Sequence, residues 1–257
     1  MNLRLFFRSN SSNASSSDTE EEGFVEPKFP ISQYEYIEGR NFRHSTDGDT
    51  PFLPCDDEEN ERLQLNYLLF KIGPGFWVKE MAEAFPNSHF TGTDQIIYPI
   101  SDTPANYEWE KVVKELIRVT KPGGWIQLVE TSGILQDVGP NMSIWLMRVT
   151  VSLQTRNIQL KFGPKLHELL EGKDGVTDLE YSHRSIPLGW LGKLGDLGLE
   201  CMERMFDSMK PRLCDDWSMN QQKYEKMVEA AAKECHEFKS WTNIHYAFCR
   251  KKFPHEE

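Results

Sequence analysis

The sequence predicts an α/β fold, and two stretches carry the prediction. In the first, the turn Ile72-Gly73-Pro74-Gly75 leads into an amphipathic helical segment and then into the strand-like run His89-Phe90-Thr91-Gly92-Thr93-Asp94. In the second, an amphipathic helix around Trp109 is broken by Lys121-Pro122-Gly123-Gly124 and followed by the apolar run Trp125 to Val129. Helical periods alternating with short apolar strands are the pattern of a sheet covered by helices.

Residues 1–28 read as a disordered tail. Met1 to Arg8 carries two arginines and no acid, and a Ser/Asn run follows to Ser17 before Asp18, Glu20, Glu21 and Glu22. Such a composition cannot bury enough apolar surface to fold. A transit peptide is the alternative, while the apolar stretch is too short for a secretory signal. The sequons at Asn10, Asn13 and Asn141 are therefore expected to be inert.

Folded material is expected to span 29–257 as one domain. It opens with the alternating stretch Tyr34 to Arg40. Asp56-Asp57-Glu58-Glu59 then starts a helix, because acids in a first turn complement the helix dipole. Leu63, Leu65, Leu68 and Leu69 supply its apolar side. The next helix carries Trp77, Met81 and Phe85 on one face, beside Val78 and Ala82, and Pro86-Asn87 stops it. The clearest helix has Trp109, Val112, Val113, Leu116 and Ile117 as its stripe, opposite Glu110, Lys111, Lys114 and Glu115. The glycines of 121–124 reverse the chain, and the strand Trp125 to Val129 delivers Glu130 to its end. Further on, helices are expected near 141–156, 163–171, 190–209 and 220–239, with strands near Leu179 to Arg184 and Thr242 to Cys249. Tyr224, Met227, Val228, Ala231, Cys235 and Phe238 line the last helix.

The composition narrows the function. The 257 residues carry a formal net charge of −11, which repels phosphate and disfavours non-specific binding to nucleic acid or an anionic membrane. No apolar run approaches a membrane span. The five cysteines, Cys55, Cys201, Cys214, Cys235 and Cys249, form no C-x-x-C pair, so they read as reduced thiols rather than a zinc site. An intracellular location follows, cytoplasmic or nuclear, with a mitochondrial one as the alternative.

Gly73 and Gly75 suit a strand-to-helix turn where backbone must approach a nucleotide cofactor, and Pro74 stiffens that turn. Asp94, at the end of the next apolar strand, suits an acceptor for ribose hydroxyls. A dinucleotide site is the competing reading, but G-x-G-x-x-G is absent: Val78 stands at the third glycine position and the first glycine is missing. Glu130 and His183 invite a catalytic role, yet an acid at a strand end and a strand histidine are more often structural, and neither is assigned one. Trp190 and its neighbouring glycines suit either a substrate pocket or a turn into a helix.

The glycine turn, the acidic strand end and the helix–Lys121-Pro122-Gly123-Gly124–strand unit, in that order, resemble the cofactor half of class I S-adenosylmethionine (SAM) dependent methyltransferases. Tyr36-Ile37-Glu38-Gly39-Arg40, Phe52-Leu53-Pro54, Asp57-Glu58-Glu59 with Arg62-Leu63, Pro187-Leu188-Gly189-Trp190, Gly192-Lys193-Leu194-Gly195, Glu234-Cys235-His236 and Arg250-Lys251-Lys252 extend the likeness in pieces over roughly 34–252. They resemble the branch related to fungal secondary-metabolism regulator methyltransferases. The resemblance implies a reduced Rossmann-like methyltransferase fold with a helical C-terminal insertion. It also implies SAM as cofactor, held by Gly73, Gly75 and Asp94, and methyl transfer to an unidentified small molecule or protein. A catalytically dead, methyltransferase-like interaction protein is the alternative.

Two parts of the family pattern are missing. Asn66 to Ile72 continues a helix where the first strand and its acid belong, and 95–107 is too short for the helix and two strands that follow the second strand. Abrupt junctions between well-kept motifs point to skipped exons. A degenerate paralogue, or a re-paired sheet with the Phe90 strand beside the Trp125 strand, are the alternatives.

Overall fold

The computed structural model describes residues 9–10, 34–43, 52–70, 83–84, 88–89, 107–156 and 163–256. The fold is mixed α/β. In chain order the elements are β1 (Ser9–Asn10), β2 (Tyr34–Ile37), β3 (Arg40–Arg43), α1 (Asp57–Phe70), β4 (Ser88–His89), α2 (Tyr107–Val119), β5 (Trp125–Gln136), α3 (Pro140–Gln154), a 3-10 helix (Gly163–Leu169), β6 (Val176–Pro187), α4 (Lys193–Asp216), α5 (Gln221–Glu237) and β7 (Trp241–Lys251).

The alternating stretch at Tyr34 forms a hairpin. Glu38 and Gly39 both take positive φ, 47° and 87°, the backbone that a two-residue hairpin turn demands. β3 then anchors the start of α1. The Arg40 guanidinium donates to both oxygens of Asp56 at 2.6 and 2.7 Å. Asp56 in turn accepts the Glu59 N–H at 3.0 Å, which caps the helix.

α2 meets its expectation from Glu110 onward; the Trp109 side chain lies outside the described ones. Val113 and Leu116 are buried, Val112 and Ile117 pack beside them, and Glu110, Lys111, Lys114 and Glu115 face water. The break after it needs glycine at 123. Gly123 has φ +75°, and a Cβ there would sit 2.3 Å from the Phe253 ring.

The main sheet has the order β5-β7-β6, with β7 antiparallel to both neighbours. β5 and β6 therefore run parallel, joined through α3 and the 3-10 helix. One face is covered by α2 and the 3-10 helix, whose Val113, Leu116, Leu166 and Leu170 pack against Ile126, Leu128, Ala247 and Cys249. β1 pairs only with β4 among the described residues, through Ser9 opposite His89 and Asn10 opposite Ser88. The described part of the segment before Phe90 thus lies on β1, and β5 pairs with β7; Phe90 itself lies outside the described residues.

A second core belongs to the helices. Met142, Trp145 and Val149 of α3 meet Phe206 and Leu213 of α4 and Tyr224, Ala231 and Cys235 of α5, with Phe52 and Leu53 completing it. Tyr224 is its polar pin. The fully buried hydroxyl donates to the Phe206 carbonyl at 2.8 Å and accepts the Trp145 indole N–H at 3.2 Å. Tyr224→Phe strands both groups in an apolar core. We expect a loss of about 1–3 kcal/mol, read from the midpoint of urea unfolding.

Several elements differ from expectation for identifiable reasons. β5 runs past Val129 to Gln136, with a register shift between Thr131 and Leu135, so Glu130 lies mid-strand and not at a strand end. β6 likewise extends to 176–187, because β7 offers a full-length partner. Residues 163–169 form a 3-10 helix. α4 starts later than expected and continues through Pro211 to Asp216. Phe238 caps α5, its N–H still bonded to the Glu234 carbonyl at 2.9 Å, but its side chain is exposed and does not extend the buried stripe. None of the five cysteines is in a disulfide. Burial pushes Cys201 and Cys249 up to about 11 and Cys235 up to about 12, so these thiols stay protonated and unreactive.

Candidate functional site

Gly73, Gly75 and Asp94 lie outside the described residues, as do Trp77, Met81 and Phe85. The described polar cluster is elsewhere, on the sheet, and strand register builds it. Glu130 of β5 lies opposite His245 of β7, and His245 lies opposite His183 of β6. Directly opposed residues of antiparallel strands share a face, so the three form a row across the sheet. Glu130 and His183, the two residues that invited a role, are thus brought together by a third.

Tyr181 joins the row from two positions earlier on β6, the same face of that strand. Its hydroxyl lies 2.7 Å from His245 Nδ1 and 3.2 Å from the Pro164 carbonyl. Both contacts are satisfied when the hydroxyl donates to the carbonyl and accepts from Nδ1–H. That tautomer puts the lone pair of His245 on Nε2. The Tyr181 and His245 rings are nearly parallel, 9° apart at 5.9 Å, and His167 lies 4.5 Å from Tyr181 on its other side. His245 Nε2 and His167 Nδ1 are both buried with no hydrogen-bond partner.

The 3-10 helix approaches this cluster closely through Gly163. A Cβ there would stand 2.6 Å from the Thr131 carbonyl and 3.1 Å from the His245 ring.

The electrostatics favour neutral groups. Burial lowers the pKa of His245, and the neighbouring His183 lowers it further. Burial raises that of Glu130, against hydrogen bonds donated by the Thr131 N–H at 2.9 Å and its hydroxyl at 3.4 Å. Burial raises that of Tyr181 as well. Burial thus biases this row toward its uncharged forms, with Tyr181 and His245 joined by a hydrogen bond. His245, Tyr181 and His167 carried no signal in the linear sequence, because the register of β5, β6 and β7 alone makes them neighbours.

Trp190 turns the chain into α4. Its indole N–H donates to the Ser240 carbonyl at 2.7 Å, tying that turn to the start of β7. Trp190 also lines a cleft, together with Ser185, Pro187, Leu191 and Trp241.

Among the described residues, no group of three or more His, Cys, Asp or Glu is placed to hold a metal ion. No helix among them is long and apolar enough to cross a membrane. Compared with known proteins, the chain matches no family model and no curated sequence.

Proposed function

We propose that the chain is a SAM-dependent methyltransferase of reduced Rossmann-like fold, with α4 and α5 as its helical C-terminal insertion, acting on a small molecule or a protein. The observation that carries this reading is the sheet. β5 and β6 are parallel, connected through helical structure, and β7 lies antiparallel between them. Parallel strands with helical connections are the frame on which α/β proteins place ligands, outside the strand carboxyl ends. The α2–glycine turn–β5 order, on which the sequence resemblance partly rests, supports the same reading.

Gly73 and Gly75 would let backbone approach the cofactor, and Asp94 would accept from its ribose hydroxyls. When bound, SAM supplies an activated methyl group. The protein's part is to position the acceptor and exclude water. The acidic surface argues against nucleic acid as a direct partner, and the compartment that fits the reduced thiols is cytoplasmic or nuclear.

Titration calorimetry with SAM tests the proposal. The full chain should give saturable binding heat. Asp94→Ala should weaken it at least ~10-fold, since hydrogen bonds to a charged group contribute about 1.5–3 kcal/mol each. No heat from the folded wild-type chain would assign it to the alternative, an interaction protein that uses its helical half as a binding surface.

A further inference from the structure

A cleft of about 300 Å³ lies at the carboxyl end of β6, lined by Ser185, Pro187, Trp190, Leu191 and Trp241. It is well removed in the chain from the glycine turn, and no charged side chain among the described residues lines it.

One aromatic wall is tethered through its side chain and the other is carried on a paired strand. The Trp190 indole is tethered to the Ser240 carbonyl at 2.7 Å. Trp241 is held in the sheet between Gln136 of β5 and Pro187 of β6. Rigid aromatic walls reduce the entropy lost when a ligand binds.

The rim is built against local preference. Leu191 has φ +70°, between Gly189 at +76° and Gly192 at +70°. A left-handed backbone is strained for a residue with a Cβ. This one also leaves its apolar side chain 71% exposed to water. Strain and exposure thus coincide at a residue that lines the cleft. One polar group stands in the wall. Ser185 donates its hydroxyl proton to Asn243 Oδ1 at 2.8 Å, so its oxygen keeps lone pairs for a donor on a ligand.

We propose that this cleft binds an uncharged planar aromatic small molecule of one or two fused rings. Its ring packs against Trp190 and Trp241 under Leu191, and a hydrogen-bond donor on it reaches Ser185. The volume is at the small end of ligand sites, which span about 300–1,000 Å³, and suits such a molecule better than a peptide. Aromatic pairs add to the affinity beyond the area they bury. The proposal stands independently of methyl transfer.

Calorimetry on the full chain without SAM, using indole as probe, tests it. Indole should bind saturably, one per chain. 1-Methylindole, which lacks the donor, should bind about 5-fold more weakly, and Ser185→Ala should remove that difference. Leu191→Asn should weaken both probes by about 10-fold, while the melting temperature holds or rises, because asparagine tolerates positive φ. Non-saturating uptake, or saturable binding that Leu191→Asn leaves unchanged, overturns the proposal, whatever SAM does in its own titration.

Discussion

Arg62→Met is expected to lower stability by about 3–5 kcal/mol, the ordinary cost of breaking a buried ion pair from one side. Arg62 and Glu59 are each only 2% exposed. On α1 the guanidinium makes two hydrogen bonds to the carboxylate, one of them at 2.9 Å. From α4, Ser208 donates its hydroxyl to the same carboxylate at 2.7 Å. Removing the cation leaves Glu59 charged in a space closed to water, with one neutral donor. The double change Glu59→Met with Arg62→Met removes both charges and should cost clearly less than the single one, since no ion is left unpaired. Urea unfolding followed by circular dichroism measures both. Equal losses in the single and double variants would mean that packing of the stems, and not the charge pair, sets the cost.

Glu234 is expected to act from a distance as the cap of α3. The backbone before that helix has no cap of its own, because Gly139 carries no side chain. The Glu234 carboxylate, from α5, accepts the N–H groups of Asn141 at 3.1 Å and Met142 at 2.9 Å, and the Asn141 amide at 2.7 Å. Glycine at 139 makes room, since a Cβ would lie 2.4 Å from the carboxyl carbon. Burial alone would raise the carboxyl pKa, but these donors outweigh it and hold it below the ordinary value of 4.5. The sign of the pH dependence follows. The carboxylate's contribution is fully present above about pH 4.5 and is lost as pH falls through the lowered value in the folded chain. Glu234→Gln should cost about 2–3 kcal/mol at neutral pH. It should also flatten the acid limb of the stability profile in that window. Unfolding curves at a series of pH values read both effects, and an unchanged acid limb would reject the assignment.

Local pattern made several elements legible in advance. The stripe of α2 was readable because helical period and burial coincide there, and the Lys121 to Gly124 break because proline and glycine act through their own backbone. The strand at Thr242 was equally plain, whereas the stretch at Tyr34 read as a single strand and is in fact a hairpin, turned at Glu38 and Gly39. Strand lengths were less so: β5 continues through Thr131 and Gly133, which look like strand enders, because β7 supplies partners on the far side of the register shift. The row Glu130, His245 and His183 was half visible. Two of its members stood out singly, but their neighbour is set by pairing between segments far apart in the chain. The Glu234 cap is of the same kind. A glutamate within an amphipathic helix gives no hint that its carboxylate ends another helix.

The position of β7 bears on how the protein is made. β5 and β6 do not touch as a pair: each finds its hydrogen-bonding partner in the strand synthesised after both. At about 5–20 residues per second, the ribosome delivers Trp241 to Lys251 seconds after Trp125 to Gln136 has emerged. Until then both earlier strands present bare edges, the surfaces on which nascent chains stick to one another. A ribosome that stalls before codon 241 would release a chain whose helices can pack but whose main sheet has no middle, and such a product is one for holding chaperones and proteases to clear.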